Sequence, residues 1–173
     1  VLAPARAGLR RADHVFCLNE DDRRFLLRTY RLAPESVTRM FPGADPAYLE
    51  VFPRRDYRPR PPRLLWFGTW LNRKGSSDAV AAFAALAGRF PELRLTVMGT
   101  GFPPEVVLGA FPEPLRGRVD YAPAAAEPGG LEYAARMLAA DVYLLPSVFE
   151  GTPLTLMETM ATGLPPVVTA VCG

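Results

Sequence analysis

Apolar and polar positions divide the chain into two parts. Up to residue 52 the apolar positions form two short runs. The run HVFCL, His14–Leu18, predicts a short strand. Asn19 followed by Glu20, Asp21 and Asp22 predicts an N-cap and the acidic first turn of a helix, with Arg28 near its end to suit the helix dipole. A second apolar run, Val37–Phe41, ends in the turn PGAD. Residues 53–62, PRRDYRPRPP, are rich in Pro and Arg, offer almost nothing to bury, and predict a linker. Beyond the linker the pattern alternates strictly. Apolar runs at Arg63–Gly68, Leu93–Gly99, Arg118–Ala122, Asp141–Ser147 and Pro165–Ala170 predict strands. Helices are predicted between them at Ser76–Phe90, Glu105–Phe111 and Leu131–Ala140, and over the segment that follows Ser147. The Ser76–Phe90 helix opens on Ser and Asp and carries a stripe of Val80, Phe83, Ala84, Ala87 and Phe90. Five short apolar runs separated by helices call for an α/β fold, a doubly wound parallel (Rossmann-like) sheet with both faces covered. Its crossovers should be right-handed.

Composition narrows the class without changing the fold. At 173 residues and 49% apolar, the chain can bury a sizeable core. Twenty basic and eighteen acidic side chains leave a net charge of +2 spread along the chain, which argues against nucleic acid as a partner. Cys17 and Cys172 lie far apart, and the lone His14 cannot build a metal site, so both thiols are expected to be reduced and structural in a cytoplasmic protein. No apolar run approaches the ~20 residues of a membrane span, so no transmembrane segment is expected and peripheral attachment at the inner membrane face stays open. The chain ends directly after its fifth predicted strand, where such a sheet normally continues into a covering helix; the expectation is a segment of a longer protein.

In open parallel sheets, ligands bind beyond the carboxyl ends of the strands where strand order reverses. For the common order 3-2-1-4-5, that places the loop GTWLNRKG, Gly68–Gly75, and the loop VFEGTP, Val148–Pro153, at one crevice, with Lys74 facing Glu150. In the second loop Gly151 permits close backbone approach, Thr152 can cap the following helix and Pro153 suits its first turn, an arrangement that favours a phosphate or diphosphate. A helical wheel puts Leu154, Leu156, Met157, Met160 and Ala161 on the core arc, Thr155, Thr159 and Thr162 opposite, and Glu158 at the border. Glu150 and Glu158, with seven residues between them and no Lys or Arg nearby, can each accept from paired hydroxyls of a ribose or hexose.

Plainer readings compete. Glu158 could be a boundary residue with its head in water, Glu150 a first-turn acid, and Lys74 with Arg73 a solvated pair. Gly99–Gly101 begins a dinucleotide fingerprint, but Pro104 stands where the third glycine belongs, so Gly99 reads as a tight strand exit rather than part of an NAD site. His14 reads as a structural residue, and Trp66 and Trp70 as core or rim.

The stretch SVFEGTPLTLMETMATGLPPVVT, Ser147–Thr169, resembles the hallmark of the retaining, GT-B-fold glycosyltransferases of family 4 (group 1). FGTWLNRKG is similar to the loop carrying that group's phosphate-binding lysine, and VMGTG, Val97–Gly101, to its glycine turn. Residues 11–20 and 34–45 resemble the end of the group's amino-terminal domain. The resemblance implies three parts: residues 1–52 as the end of an acceptor-side domain and hinge, 53–62 as linker, and 63–173 as a nucleotide-sugar donor domain truncated at its C-terminus.

It further implies hexose transfer from a nucleotide-diphosphate sugar with retention of configuration, and no cofactor or metal. The acceptor, a carbohydrate or lipid-linked molecule, would be reached through the missing amino-terminal domain, leaving this fragment inactive by itself. Glu158 would hold the ribose hydroxyls and Glu150 the transferred sugar. The backbone around Gly151, Thr152 and Leu154 would meet sugar hydroxyls and diphosphate, while Lys74, beside Gly68, Thr69 and Arg73, would neutralise the leaving group. Most of the group has Arg after the first-strand glycine; here that position is Thr69, so either Arg73 takes that arginine's place or the site is weaker. A nucleotide-sugar epimerase of the same fold and a catalytically inactive nucleotide-sugar-binding domain are the alternatives.

Overall fold

The computed structural model describes residues 2–56, 59–123 and 131–171. Cys172 and two residues of the expected linker, Tyr57 and Arg58, lie outside that set. Two compact units emerge among the described residues: one comprises 2–42, 150–152 and 171, the other 43–149 and 153–170.

In the first unit, α1 (Leu2–Arg11) precedes β1 (Val15–Cys17), α2 (Glu20–Phe25) and β2 (Val37–Arg39). The two strands pair in parallel, Val15 opposite Val37, over a small core of Cys17, Leu26 and Val37. The side chain of Asn19 caps α2 as expected, accepting from the Asp22 amide at 2.8 Å. His14 bonds Thr38 Oγ1 at 2.8 Å, a structural tie between the strands. Helix α1 has no counterpart in the sequence expectations; Pro4 near its start is compatible with a first helical turn, where an amide proton has no intrahelical acceptor. Helix α2 ends short of Arg28 and continues as a wider turn over Leu26–Tyr30, closed by Arg31 at φ 54°.

The second unit runs α3 (Pro46–Val51), β3 (Arg63–Phe67), α4 (Ser76–Arg89), β4 (Arg94–Met98), α5 (Pro104–Gly109), β5 (Val119–Ala122), α6 (Leu131–Leu138), β6 (Val142–Leu145), α7 (Leu154–Ala161) and β7 (Pro166–Val168). Its five strands are all parallel in the order β5-β4-β3-β6-β7, which is 3-2-1-4-5 counted from the linker. Alternate residues of β3 enter opposite cores, which is why its apolar run is unbroken. Leu65 and Phe67 join Met98, Tyr143, Met137 of α6 and Tyr48 of α3. Leu64 and Trp66 join Leu95, Val97, Phe83 of α4 and Val107 of α5. Trp66 and Trp70 meet edge to face at 4.8 Å inside the second core, as core residues.

Three local expectations are corrected. The α4 stripe is rotated, burying Ser76, Ala79, Phe83 and Ala87 and leaving Phe90 exposed, and no side chain caps that helix: Gly75 at φ 73° leads into it. Residues 53–62 include a deeply buried group. The guanidinium of Arg55 donates from Nε to Thr162 O at 2.7 Å, from Nη1 to Ala140 O at 2.9 Å and from Nη2 to Met137 O at 2.9 Å. These carbonyls lie at or just beyond the carboxyl ends of α6 and α7, where helices leave acceptors unpaired and a cation is favoured.

Helix α7 presents a different face from the wheel. Thr159 and Thr162 are fully buried and Thr155 partly so, while Leu154 and Met160 are 51% and 56% exposed. The threonines can turn inward because their hydroxyls are satisfied. Thr159 Oγ1 donates to Leu156 O at 2.9 Å, Thr162 Oγ1 to Thr159 O at 2.8 Å, and Thr155 Oγ1 shares a 2.9 Å bond with the Tyr143 hydroxyl. Glu158 therefore belongs to a polar stripe with Thr155, Thr159 and Thr162 at i, i+3, i+4 and i+7 spacing.

Candidate functional site

Because β3 and β6 are neighbours, the loops at their carboxyl ends run side by side at the point where strand order reverses. The loop after β3 is stitched to β4 by Gly68 N–H to Met98 O at 3.1 Å and Trp70 N–H to Thr100 O at 2.8 Å. Gly99, at φ 67°, leaves no room for a side chain: a Cβ there would lie 2.6 Å from the Phe67 ring, which makes it the tight strand exit the sequence suggested. Residues Asn72–Lys74 form one tight turn, and Gly75 closes it against Pro146. Across the gap, the Val148 amide donates to Arg73 O at 2.9 Å, and the Arg73 guanidinium donates to Phe149 O at 3.1 Å. Arg73 is thus committed to joining the two loops, while Thr69 is exposed. Lys74, half-buried, sits at the end of this turn.

Helix α7 begins just beyond the second loop. Its N-cap is Pro153, and no side chain caps it, so Thr152 does not do so as the sequence suggested. Thr152 Oγ1 donates instead to Leu18 O at 3.2 Å, and Asn19 Nδ2 donates to Gly151 O at 3.4 Å. The contacts of Glu150, Gly151 and Thr152 group them with the first unit, and Glu150 is buried. The structure thus brings the Lys74 turn together with Val148 and Phe149, but divides the FEGTP loop between the two units. Leu154 opens α7 with an exposed side chain, and Gly68 is half-buried at the end of β3.

Glu158 is half-buried on α7 and makes no hydrogen bond or ion pair among the described residues. Burial, then the charge of Asp45, pushes its carboxyl up from the ordinary glutamate value. Asp45 caps α3, accepting from the Ala47 amide at 2.9 Å. Tyr48, two residues further on α3, is buried with its hydroxyl unpaired, and burial followed by the charge of Glu158 pushes it up to about 12. Asp45, Tyr48 and Arg55 escaped the sequence reading; the only signal for α3 was an Asp-Pro pair after a glycine. Among the described residues no group of His, Cys, Asp and Glu is placed to hold a metal ion, and no helix is long and apolar enough to cross a membrane.

A family model described as "Glycosyl transferases group 1" matches residues 61–173. No curated protein matches the sequence. Among solved structures, WaaG, a glycosyltransferase involved in lipopolysaccharide biosynthesis, superposes with a TM-score of 0.73 at 24% identity, covering 91% of this chain and 44% of its own. The sucrose-phosphate synthase of Thermosynechococcus elongatus gives 0.76 at 25%, covering 99% and 44%. HepE of Anabaena, solved in complex with UDP and glucose, gives 0.65 at 16%, covering 100% and 51%. The chain therefore spans less than half the length of the first two.

Proposed function

The chain belongs to the group 1 glycosyl transferases, and from that premise we propose that it carries the donor-binding part of an enzyme that moves a hexose from a nucleotide-diphosphate sugar to a carbohydrate or lipid-linked acceptor, with retention of configuration. The observation that carries this reading is Glu158, a half-buried carboxylate without a cation or hydrogen-bond donor among the described residues. A chain rarely shields such a group unless something else supplies the donors, and two vicinal ribose hydroxyls match a carboxylate's acceptor geometry. Near it, the uncapped start of α7 offers first-turn amides suited to a diphosphate. Lys74 is assigned to the negative charge that grows on the diphosphate as the glycosidic bond breaks. Glu150 is assigned to the transferred sugar, and the backbone of Gly151, Thr152 and Leu154 to sugar hydroxyls and phosphate, following the sequence resemblance. No metal is assigned a role in the transfer. HepE was solved with UDP and glucose, so a UDP-sugar is the first donor to test.

Titration with UDP, GDP and ADP and their sugars, followed by thermal shift, checks the reading. A ligand at a hundred times its Kd should stabilise the fold by about 2.7 kcal/mol. Glu158→Gln should weaken the bound nucleotide about tenfold, the loss of a charged acceptor for hydroxyls. No stabilisation by any of the three nucleotides would overturn it. The pH dependence has two opposite signs. A carboxyl raised in the folded state contributes stability at low pH that is lost as pH rises through its folded value. Nucleotide affinity instead rises over that window, because the ionised form is the one that accepts from the hydroxyls.

A further inference from the structure

Tyr48 is held by packing alone. Its ring is fully buried in the same core cluster as Val51, Tyr133, Met137 and Leu164, and α3 lies against α6 and α7, yet its hydroxyl meets no donor or acceptor among the described residues. Phenylalanine would fill the same space without stranding a polar atom, so the hydroxyl lowers the stability of the ligand-free fold. Three titratable groups face it: Glu158 from α7, Asp45 at the start of α3 and Tyr133 from α6. One Asp45 carboxylate oxygen accepts from the Ala47 amide as a helix cap. Among the described residues Glu158 is an acceptor with no donor, on a helix packed against the one that carries Tyr48, a donor with no acceptor. That pairing is unmade in the ligand-free chain.

We propose that Tyr48 is a positioning residue for Glu158: when a nucleotide enters, the carboxylate turns so that one oxygen accepts from the Tyr48 hydroxyl while the other meets the ribose hydroxyls. The inference rests on the donor-site reading above and adds the group that aims its glutamate. A hydrogen bond to the ionised form also offsets the burial that disfavours it.

The test uses the full 173-residue chain with Tyr48→Phe, Glu158→Gln and the double substitution. Each is followed by thermal denaturation without nucleotide and by calorimetric titration with UDP, GDP and ADP between about pH 5 and pH 8, the range that brackets a raised carboxyl. Tyr48→Phe should leave the ligand-free melting temperature unchanged or higher. It should also weaken nucleotide binding about three- to tenfold, the value of one net hydrogen bond, and move the midpoint of the affinity–pH curve upward. Glu158→Gln should flatten that curve, and adding Tyr48→Phe to it should change affinity little, the non-additivity expected of a coupled pair. If Tyr48→Phe leaves affinity and midpoint unmoved while Glu158→Gln weakens binding, the positioning role is wrong and the donor site stands. A melting temperature that falls with no midpoint shift marks Tyr48 as purely structural and also overturns the role. If Glu158→Gln changes nothing, or no nucleotide binds the natural chain, the donor-site reading itself fails and this inference with it.

Discussion

Replacing Arg55 with Leu should destabilise the second unit by about 3 kcal/mol, taking roughly 1 kcal/mol for each of three charge-assisted bonds to carbonyls. The guanidinium reaches Met137 O and Ala140 O around the end of α6 and Thr162 O at the end of α7, so one side chain closes two helix termini. Its loss leaves the buried Ala140 and Thr162 carbonyls without that donor and Met137 O with the Ala140 amide, and removes a cation from the negative ends of two helices. For a chain of this size the melting temperature should fall by roughly 6–12 °C. Arg55→Lys keeps the charge but offers one nitrogen where three directions are needed, and should recover only part of the loss. Chemical denaturation with the midpoint read at constant slope distinguishes these outcomes. A Leu variant as stable as the natural chain would show that water replaces the guanidinium at those carbonyls. Because Thr162 caps the helix that carries Glu158, the same variant should also weaken nucleotide binding.

The order of the five-stranded sheet was legible because each strand is a short apolar run and each connection a helix, which leaves few topologies open. That the Lys74 turn meets Val148 and Phe149 at the sheet's carboxyl edge was legible for a similar reason: both lie in loops whose positions follow from that topology. What periodicity could not show was the role of satisfied polar groups. The wheel of α7 ranked residues by apolarity and turned Leu154 and Met160 inward, whereas the fold buries Thr159 and Thr162, whose hydroxyls close onto their own helix. Arg55 was hidden by the same rule, since its residue type and its Pro-rich neighbours both suggest solvent, and its partners are backbone carbonyls 82 to 107 positions away. Helix α3 is six residues long, too short for an apolar period, so Tyr48 and its approach to Glu158 had no signature in one dimension.

Gly75→Ala should be the most damaging single change at the loops themselves. Gly75 sits at φ 73°, a left-handed conformation that costs a residue with a Cβ about 1–2 kcal/mol. The added atom would also lie 2.0 Å from the backbone oxygen of Pro146 and 2.7 Å from its ring. A backbone carbonyl cannot rotate aside as a flexible side chain does, so the loop after β3 must separate from the loop after β6. Overpacking of that kind costs a further 1–3 kcal/mol or so, for a total of roughly 2–5 kcal/mol. The separation would break the Val148 amide bond to Arg73 O and move Lys74, which directly precedes the substituted residue. Stability and nucleotide affinity should therefore fall together. Gly88→Ala provides the opposite sign: this glycine lies within α4, an added Cβ would meet no atom within 4 Å, and substitution there should stabilise the chain by about 0.5–1 kcal/mol without touching nucleotide binding. Measuring both variants by denaturation and by titration with UDP separates a general effect of losing glycine from the closing of two loops on one another. If Gly75→Ala melted with Gly88→Ala and bound UDP normally, the loops would not depend on that contact.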